Sequence, residues 1–91
     1  MSGYIYKLFH KNYYYIGQTK LDIEQRANQH WYNRQRNYKL YNYMRNTNRE
    51  DWTIEELEIV PIHLLNTREA FYINLKDPFC LNTNYNYRYI K

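Results

Sequence analysis

Hydrophobic and polar positions follow a strand-like pattern at the start of the chain. The run from Tyr4 to His10 is rich in aromatic and β-branched residues, and a similar run from Tyr13 to Ile16 follows the Lys11-Asn12 turn. Two such runs around a two-residue turn predict a β-hairpin, which we expect to end at Gly17.

A helical spacing begins at Asp22, which can cap a helix because Gln25 follows three residues later. Apolar positions in this first helix then recur every four residues from Ile23. A second helix is predicted over residues 38–47, where apolar side chains follow the i, i+3, i+4, i+7 spacing.

The last part of the pattern predicts one more strand and one more helix. The strand runs from Trp52 to Val60 and is ended by Pro61. Asn66 or Thr67 can cap a third helix that continues to Lys76. The order β-β-α-α-β-α predicts a small α+β domain.

The composition excludes several classes of protein. The 91 residues fit a single domain over residues 1–91. Because 13 of the hydrophobic residues are Tyr, several rings must pack inside with hydrogen-bonded hydroxyls. The single cysteine, Cys80, excludes an internal disulfide and a multi-cysteine metal site. No apolar run approaches the ~18 residues of a membrane span, and the N-terminal segment does not resemble a signal peptide, so we expect an intracellular protein without a membrane partner.

Charge is distributed unevenly along the chain. Residues 1–49 carry 9 basic and 2 acidic side chains, whereas residues 50–91 carry 4 basic and 7 acidic ones, which gives +7 and −3. Such an asymmetry favours one face that binds a polyanion. Phosphate contacts are expected from a basic stretch interleaved with Tyr and Asn, formed by Arg34, Arg36, Lys39, Arg45 and Arg49.

Several common catalytic motifs are absent from the sequence. Gly3 and Gly17 are the only glycines, so there is no glycine-rich phosphate loop, and no serine nucleophile elbow occurs. The three histidines are not at metal-ligand spacing. Tyrosine, arginine and carboxylate side chains on different elements can together support phosphodiester hydrolysis, as Tyr6, Tyr15, Arg26, His30, Glu69 and Asn82 would if they converge. Periodicity alone does not select this set from a chain with 13 Tyr and 12 Asn.

Each of these residues also has an ordinary structural interpretation. Tyr6 and Tyr15 on adjacent strands can simply pack against each other. The run from Asn66 to Glu69 fits a capping box in which Glu69 folds back to its own helix terminus. Spacing alone does not choose between structure and catalysis.

A set of short motifs in a fixed order resembles the GIY-YIG nuclease superfamily. The hairpin carries Tyr4-Ile5-Tyr6 and Tyr15-Ile16-Gly17, which look like the two halves of its name-giving motif. The resemblance continues to about residue 84 through Arg26 and His30, then Arg68-Glu69-x-x-Tyr72-Ile73, then Leu81-Asn82. Two positions depart from the pattern: Tyr4 replaces a glycine, and Gln18 stands where many relatives have Lys or Ser, with Lys20 close enough to substitute for that lysine.

The resemblance implies a central three-stranded antiparallel sheet flanked by helices, and a metal-dependent DNA endonuclease. By this analogy Glu69 holds Mg²⁺, for which Mn²⁺ can substitute, and Tyr6 or Tyr15 activates the attacking water with help from His30. Arg26 stabilises the phosphate, and the products carry a 5′-phosphate and a 3′-hydroxyl. Gly17 and Asn82 would support the site, while phosphate contacts would come from Lys20, Arg34, Arg36 and Lys39.

Two other functions are compatible with the same residues. One is a nucleic-acid-binding module of this fold that has lost catalysis. The other is a structural or RNA-binding protein whose motif match is accidental. The sequence does not specify DNA selectivity, which would come from the domain itself, from a homodimer or from a partner protein.

Overall fold

A three-stranded antiparallel sheet forms the centre of the chain. The computed structural model describes residues 1–83, so the part of the predicted 1–91 domain from residue 84 onward lies outside the described residues. The strands are β1 (Ser2–His10), β2 (Tyr13–Thr19) and β3 (Thr53–Pro61), in the spatial order β2-β1-β3. The predicted α+β class with an antiparallel sheet is confirmed.

The hairpin of β1 and β2 turns over two residues, as the sequence predicts. His10 pairs with Tyr13, and Lys11 takes a φ of 55°, a left-handed conformation that tight hairpin turns require. Strand β2 does not end at Gly17, because Gln18 and Thr19 continue the pairing with β1. This continuation carries Gln18 into the site described below.

Helices cover both faces of the sheet, because alternate residues of β1 are buried on opposite sides. The helices are α1 (Ile23–Tyr32), α2 (Lys39–Met44) and α3 (Leu65–Tyr72). Tyr6 and Leu8 pack in a cluster with residues of α1 and α2, whereas Ile5 packs in a second cluster with Leu65 of α3. A shift of register between β1 and β3 falls between Ile5 and Tyr6, where a bulge can re-aim side chains.

The first helix begins as predicted. The Asp22 carboxylate accepts a hydrogen bond from the Gln25 backbone N–H at 3.3 Å. The second helix ends at Met44 rather than Thr47. The Thr47 hydroxyl bonds the Met44 carbonyl at 2.7 Å and accepts from the Trp52 indole, so Thr47 closes the helix and ties it to the entry of β3.

The predicted bounds and cap of the third helix are wrong. Helix α3 continues directly from a 3₁₀ turn at Ile62–Leu64 and begins at Leu65, with no side-chain cap at Leu64. Buried Leu65 fixes this start, since its methyl groups lie beside Gly3 of β1. The helix ends at Tyr72 because Ile73 becomes extended and is buried in the core.

Two further expectations can be compared with the described residues. Tyr6 and Tyr41 are buried, and no buried side-chain polar atom of residues 1–83 lacks a hydrogen-bond partner. Buried tyrosines in this small core therefore have partners for their hydroxyls, as composition requires. Within this part of the chain, no helix has the length and apolar character needed to cross a bilayer.

Candidate active site

A cleft of about 590 Å³ opens where the sheet meets all three helices. Strands β1 and β2 form its floor, α1 and α2 form one wall, and α3 forms the other. Seven residues singled out in the sequence line this cleft, namely Tyr6, Tyr15, Arg26, His30, Arg36, Lys39 and Glu69. The fold thus brings together side chains from five secondary-structure elements and one loop.

A buried hydrogen-bonded row connects β1, α1 and α2. The Tyr6 hydroxyl lies 2.6 Å from Nε2 of His30, and Nδ1 of His30 lies 2.9 Å from the Tyr41 hydroxyl. All three side chains are buried, with Tyr6 at 0% exposure, His30 at 2% and Tyr41 at 8%. His30 reaches this position because Ala27, one turn earlier, packs α1 closely on the sheet.

Gly17 is required by the position of Tyr6. The two residues are paired across β1 and β2, and the Tyr6 ring lies directly over the Gly17 Cα. A Cβ at position 17 would meet the Tyr6 Oη and Cζ atoms and would lie 3.0 Å from Cε1. Glycine is therefore needed at position 17 because it has no Cβ, which lets the Tyr6 ring approach the backbone closely. Its φ angle does not require glycine.

Arg26 supplies the positive charge beside the buried tyrosines of the cleft. Its Nη1 donates to Gln29 at 3.0 Å on the same helix. Burial raises the pKa of Tyr6 well above its ordinary value, Tyr15 adds to this rise, and the Arg26 charge opposes it. Burial likewise raises the pKa of Tyr41 against the effect of Arg26. A guanidinium that favours phenolate is placed to stabilise other negative charge in the same space.

His30 is neutral at physiological pH. Burial first and the nearby Arg26 charge second lower the pKa of His30 from 6.5 to about 3. One ring nitrogen therefore carries a proton and the other has a free lone pair. A neutral imidazole can accept a hydrogen bond from one phenol and donate a hydrogen bond to the other.

Tyr15 lies beside this row and is half-buried. Its ring centroid is 6.5 Å from that of Tyr6 and 5.2 Å from that of His30. The two motif tyrosines do pack together, as the structural interpretation expected, yet both also face the cleft. Half-buried Tyr15 can therefore both pack and contact substrate, whereas the fully buried Tyr6 lies beneath the cleft surface.

Glu69 is buried against β2 rather than used as a helix cap. It is 1% exposed and accepts a hydrogen bond from Nε2 of Gln18 at 2.9 Å, while the same amide also donates to Asn66 at 2.7 Å. Because α3 already begins at Leu65, the capping-box alternative is wrong. Gln18, which departs from the family pattern, thus connects the carboxylate to the end of β2.

The Glu69 carboxylate and the Asn66 amide oxygen are ligands of the kind that a hard divalent cation takes. Among the described residues that line the cleft, Glu69 is the only acid, and the Gln18 amide nitrogen donates to both of these oxygens. No cluster of three or more His, Cys, Asp or Glu side chains occurs within residues 1–83. Mg²⁺ commonly takes one or two carboxylates and completes its shell with waters and substrate phosphate, which suits this donor set.

Asn82 pairs with the backbone of β2. Its Oδ1 accepts from the Ile16 N–H at 2.9 Å, and its Nδ2 donates to the Ile16 carbonyl at 2.9 Å. Leu81 N–H also donates to the Tyr14 carbonyl at 2.7 Å. These bonds hold the strand that carries Tyr15 and Gly17, so Asn82 supports the floor of the cleft.

Of the four residues predicted to contact phosphate, two line the cleft and two do not. Arg36 and Lys39 lie at the cleft, with the Lys39 ammonium 3.0 Å from the Cys80 carbonyl. Arg34 instead lies 4.0 Å over the Trp31 ring and donates to the Trp31 carbonyl. Lys20 is exposed after β2 and does not line the cleft.

Three residues of the site were not predicted in their observed roles, namely Gln18, Asn66 and Tyr41. Asn66 lies three residues before Glu69 in α3, a spacing that places both side chains on one helix face, so this pair was detectable. Tyr41 falls between the apolar positions Leu40 and Met44, and nothing local distinguishes it. Only the packing of α2 against α1 brings its hydroxyl to His30.

Comparison with known proteins agrees with this arrangement. The family model described as the GIY-YIG catalytic domain matches residues 2–86, nearly the whole chain. A search of curated proteins and a search of solved structures each gave no match. The match and the antiparallel sheet confirm the resemblance seen in the ordered motifs, and the chain therefore belongs to the GIY-YIG family of nucleases.

Proposed function

We propose that this chain is a metal-dependent DNA endonuclease that hydrolyses phosphodiester bonds by water attack and leaves a 5′-phosphate and a 3′-hydroxyl. The observation that carries the proposal is the convergence of a tyrosine–histidine pair, an arginine and a buried carboxylate in one cleft. A proton acceptor, a stabiliser of phosphate charge and a cation ligand are the groups that this hydrolysis needs.

Tyr6 is the better candidate for the proton acceptor. Its oxygen bonds the His30 imidazole at 2.6 Å, so the imidazole can take the phenol proton. Burial raises the pKa of Tyr6, and the Arg26 charge opposes part of that rise. Tyr15 lies more openly at the mouth of the cleft and is suited to orienting the water or the phosphate. General base catalysis by a side chain contributes about 10²–10⁴-fold, so loss of the Tyr6 hydroxyl should cost most of the rate.

Arg26 and Glu69 complete the chemistry from opposite walls of the cleft. Arg26 binds a non-bridging phosphate oxygen and offsets the charge that develops there. Glu69, held by Gln18, would bind the divalent cation, which when bound neutralises charge on the phosphate and leaving oxygens. Arg36 and Lys39 at the rim would contact neighbouring backbone phosphates of DNA.

Plasmid nicking tests the proposal. Supercoiled DNA should be nicked with Mg²⁺ or Mn²⁺ and left intact with EDTA. Glu69→Gln removes the charge that binds the cation and should abolish nicking while leaving DNA binding in EDTA unchanged or slightly stronger. Glu55→Gln is the matched control, because Glu55 is exposed on β3 outside the cleft.

The same assay distinguishes the alternatives. DNA binding without cleavage under any metal condition would make the chain an inactive module of this fold. Metal-independent RNA binding without DNA cleavage would favour the RNA-binding alternative. Ends that DNA ligase cannot rejoin would contradict the proposed 5′-phosphate and 3′-hydroxyl.

A further inference from the structure

The Tyr41 hydroxyl lies behind His30, on the side of the imidazole away from Tyr6. It is 2.9 Å from Nδ1 of His30, whereas Tyr6 is 2.6 Å from Nε2. Tyr41 comes from α2, His30 from α1 and Tyr6 from β1, so three elements meet at one buried ring. Position 41 lies outside the short motifs on which the family resemblance was recognised in the sequence.

A neutral imidazole allows two arrangements of protons in this row. In the first, Tyr6 donates to Nε2 and Nδ1–H donates to the Tyr41 oxygen. In the second, both bonds are reversed. The distances favour the first, because 2.9 Å is typical of an N–H donor to oxygen while a hydroxyl donor approaches more closely, at about 2.7 Å.

We propose that Tyr41 is a positioning residue whose oxygen accepts the Nδ1–H of His30 and thereby keeps the Nε2 lone pair directed at Tyr6. An orienting group behind a histidine base serves the same purpose in other nucleophile–base arrangements. The catalytic part of this inference rests on the proposed nuclease function. The assignment of the His30 tautomer rests only on the two hydrogen-bond distances.

The first arrangement gives a balanced path for the proton of the attacking water. The water O–H bond breaks and its proton passes to the Tyr6 oxygen, while the original Tyr6 proton passes to Nε2 of His30. The water oxygen forms a bond to phosphorus as the bond between phosphorus and the 3′ oxygen breaks, and the departing 3′ oxygen takes a proton from solvent to become the 3′-hydroxyl. His30 then returns its proton to Tyr6, which releases the proton taken from water to solvent, and Nδ1–H remains bonded to Tyr41 throughout. A bound phosphodiester places negative charge next to Arg26, which offsets one of the two effects that keep His30 neutral in the free protein.

Removing the Tyr41 hydroxyl should change the tautomer. In Tyr41→Phe the ring and its packing remain, but Nδ1–H becomes a buried donor without a partner, which costs more than an unpaired acceptor. The Nε2–H tautomer then becomes populated, and its N–H points at Tyr6 in place of the lone pair. The proton path is blocked while the cleft keeps its shape.

Tyr43→Phe provides a matched control on the same helix. The Tyr43 hydroxyl bonds Nδ1 of His10 at 2.8 Å, and neither residue lines the cleft. This variant also deletes one tyrosine–histidine hydrogen bond. Any effect that both variants share is a general effect on packing, and an effect confined to Tyr41→Phe belongs to His30.

Nuclear magnetic resonance of ¹⁵N-histidine-labelled protein reads the tautomer directly. The sequence has three histidines, and His30→Gln assigns the resonances of His30. We expect Nδ1–H at His30 in the parent and in Tyr43→Phe, and a substantial Nε2–H population in Tyr41→Phe. An Nε2–H tautomer at His30 in the parent would overturn the proposal. So would an Nδ1–H tautomer that persists unchanged in Tyr41→Phe.

Kinetics on plasmid DNA test the catalytic part. Tyr41→Phe should lower kcat about 10- to 100-fold, by analogy with the loss of groups that orient metal-ligating histidines. The KM for DNA should not change in Tyr41→Phe, and Tyr43→Phe should keep the parental rate. A parental kcat in Tyr41→Phe would refute its positioning role. Absence of nicking in the parent would instead refute the proposed function, and the tautomer measurement would still decide the structural claim.

Discussion

Replacement of Gly17 by alanine should damage the site through a single contact. A Cβ at position 17 would fall inside the ordinary 3.4 Å contact distance to Tyr6 by roughly 1 Å at the hydroxyl end of the ring. Gly17 pairs with Tyr6 across two hydrogen-bonded strands, so the backbone has little freedom to retreat. The Tyr6 ring must therefore move.

The size of the effect follows from what that movement breaks. A shift of about 1 Å stretches the 2.6 Å bond from Tyr6 to His30 beyond the hydrogen-bonding range. Overpacking costs about 1–3 kcal/mol and a buried polar group without a partner costs about 1–3 kcal/mol. We expect Gly17→Ala to lose about 2–6 kcal/mol of unfolding free energy and, because the base is misplaced, about 100-fold in nicking rate.

A double-mutant cycle measured by urea unfolding isolates this contact. Tyr6→Leu removes the ring atoms that the new Cβ would meet, so Gly17→Ala in that background should cost less than about 1 kcal/mol. Gly3→Ala is a useful comparison, because its Cβ would meet the Leu65 methyl groups and the Thr19 backbone oxygen at 2.9–3.0 Å rather than Tyr6. An alanine at position 17 that costs the same with Tyr6 and with Leu at position 6 would refute the steric explanation.

Three further predictions concern the same cleft. Tyr6→Phe should lose about 10²-fold or more in nicking rate and Tyr15→Phe less, with both variants folded by circular dichroism; near-parental rates in both would exclude a tyrosine base. In a plot of log affinity for DNA against log salt concentration, Arg36→Ala should make the slope shallower by about 0.9. Lys76→Ala should leave the slope unchanged, because Lys76 is exposed and lies outside the cleft. Equal slopes for the parent and Arg36→Ala would mean that Arg36 does not contact phosphate. Because the pKa of His30 falls to about 3 on folding, the unfolded chain binds an extra proton below about pH 6.5, so unfolding free energy should fall by about 1.4 kcal/mol per pH unit between about pH 6 and pH 4. His30→Gln should flatten this dependence in urea titrations, and parallel curves for the two proteins would contradict the buried neutral state.

Features that depend on neighbouring residues were determined by the sequence alone. The hairpin follows from two aromatic and β-branched runs around a two-residue turn, and the start of α1 follows from Asp22 and Gln25 three residues apart. The family was also recognisable, because its motifs occur in order along the chain. Each of these signals spans a few residues, so the local backbone conformation is enough to express it.

The placement of the Glu69 side chain was decided only by tertiary structure. Its local context fits a capping box, yet burial of Leu65 beside Gly3 moves the helix start and turns Glu69 toward Gln18. A short helix in a small domain begins where its apolar side chains can be buried, since packing contributes more to its stability than one cap. The local preference was therefore overridden.

Tertiary structure also determined where the basic side chains and the tyrosine hydroxyls lie. Arg34 and Arg36 are two residues apart in the sequence, but Arg34 stacks on Trp31 while Arg36 reaches the cleft. Tyr41 resembles any other aromatic residue of a helix until α2 docks and places its hydroxyl behind His30. The sequence determines which chemical groups are present and which elements carry them, whereas their convergence depends on contacts between residues far apart in the chain, because only the packed core fixes those distances.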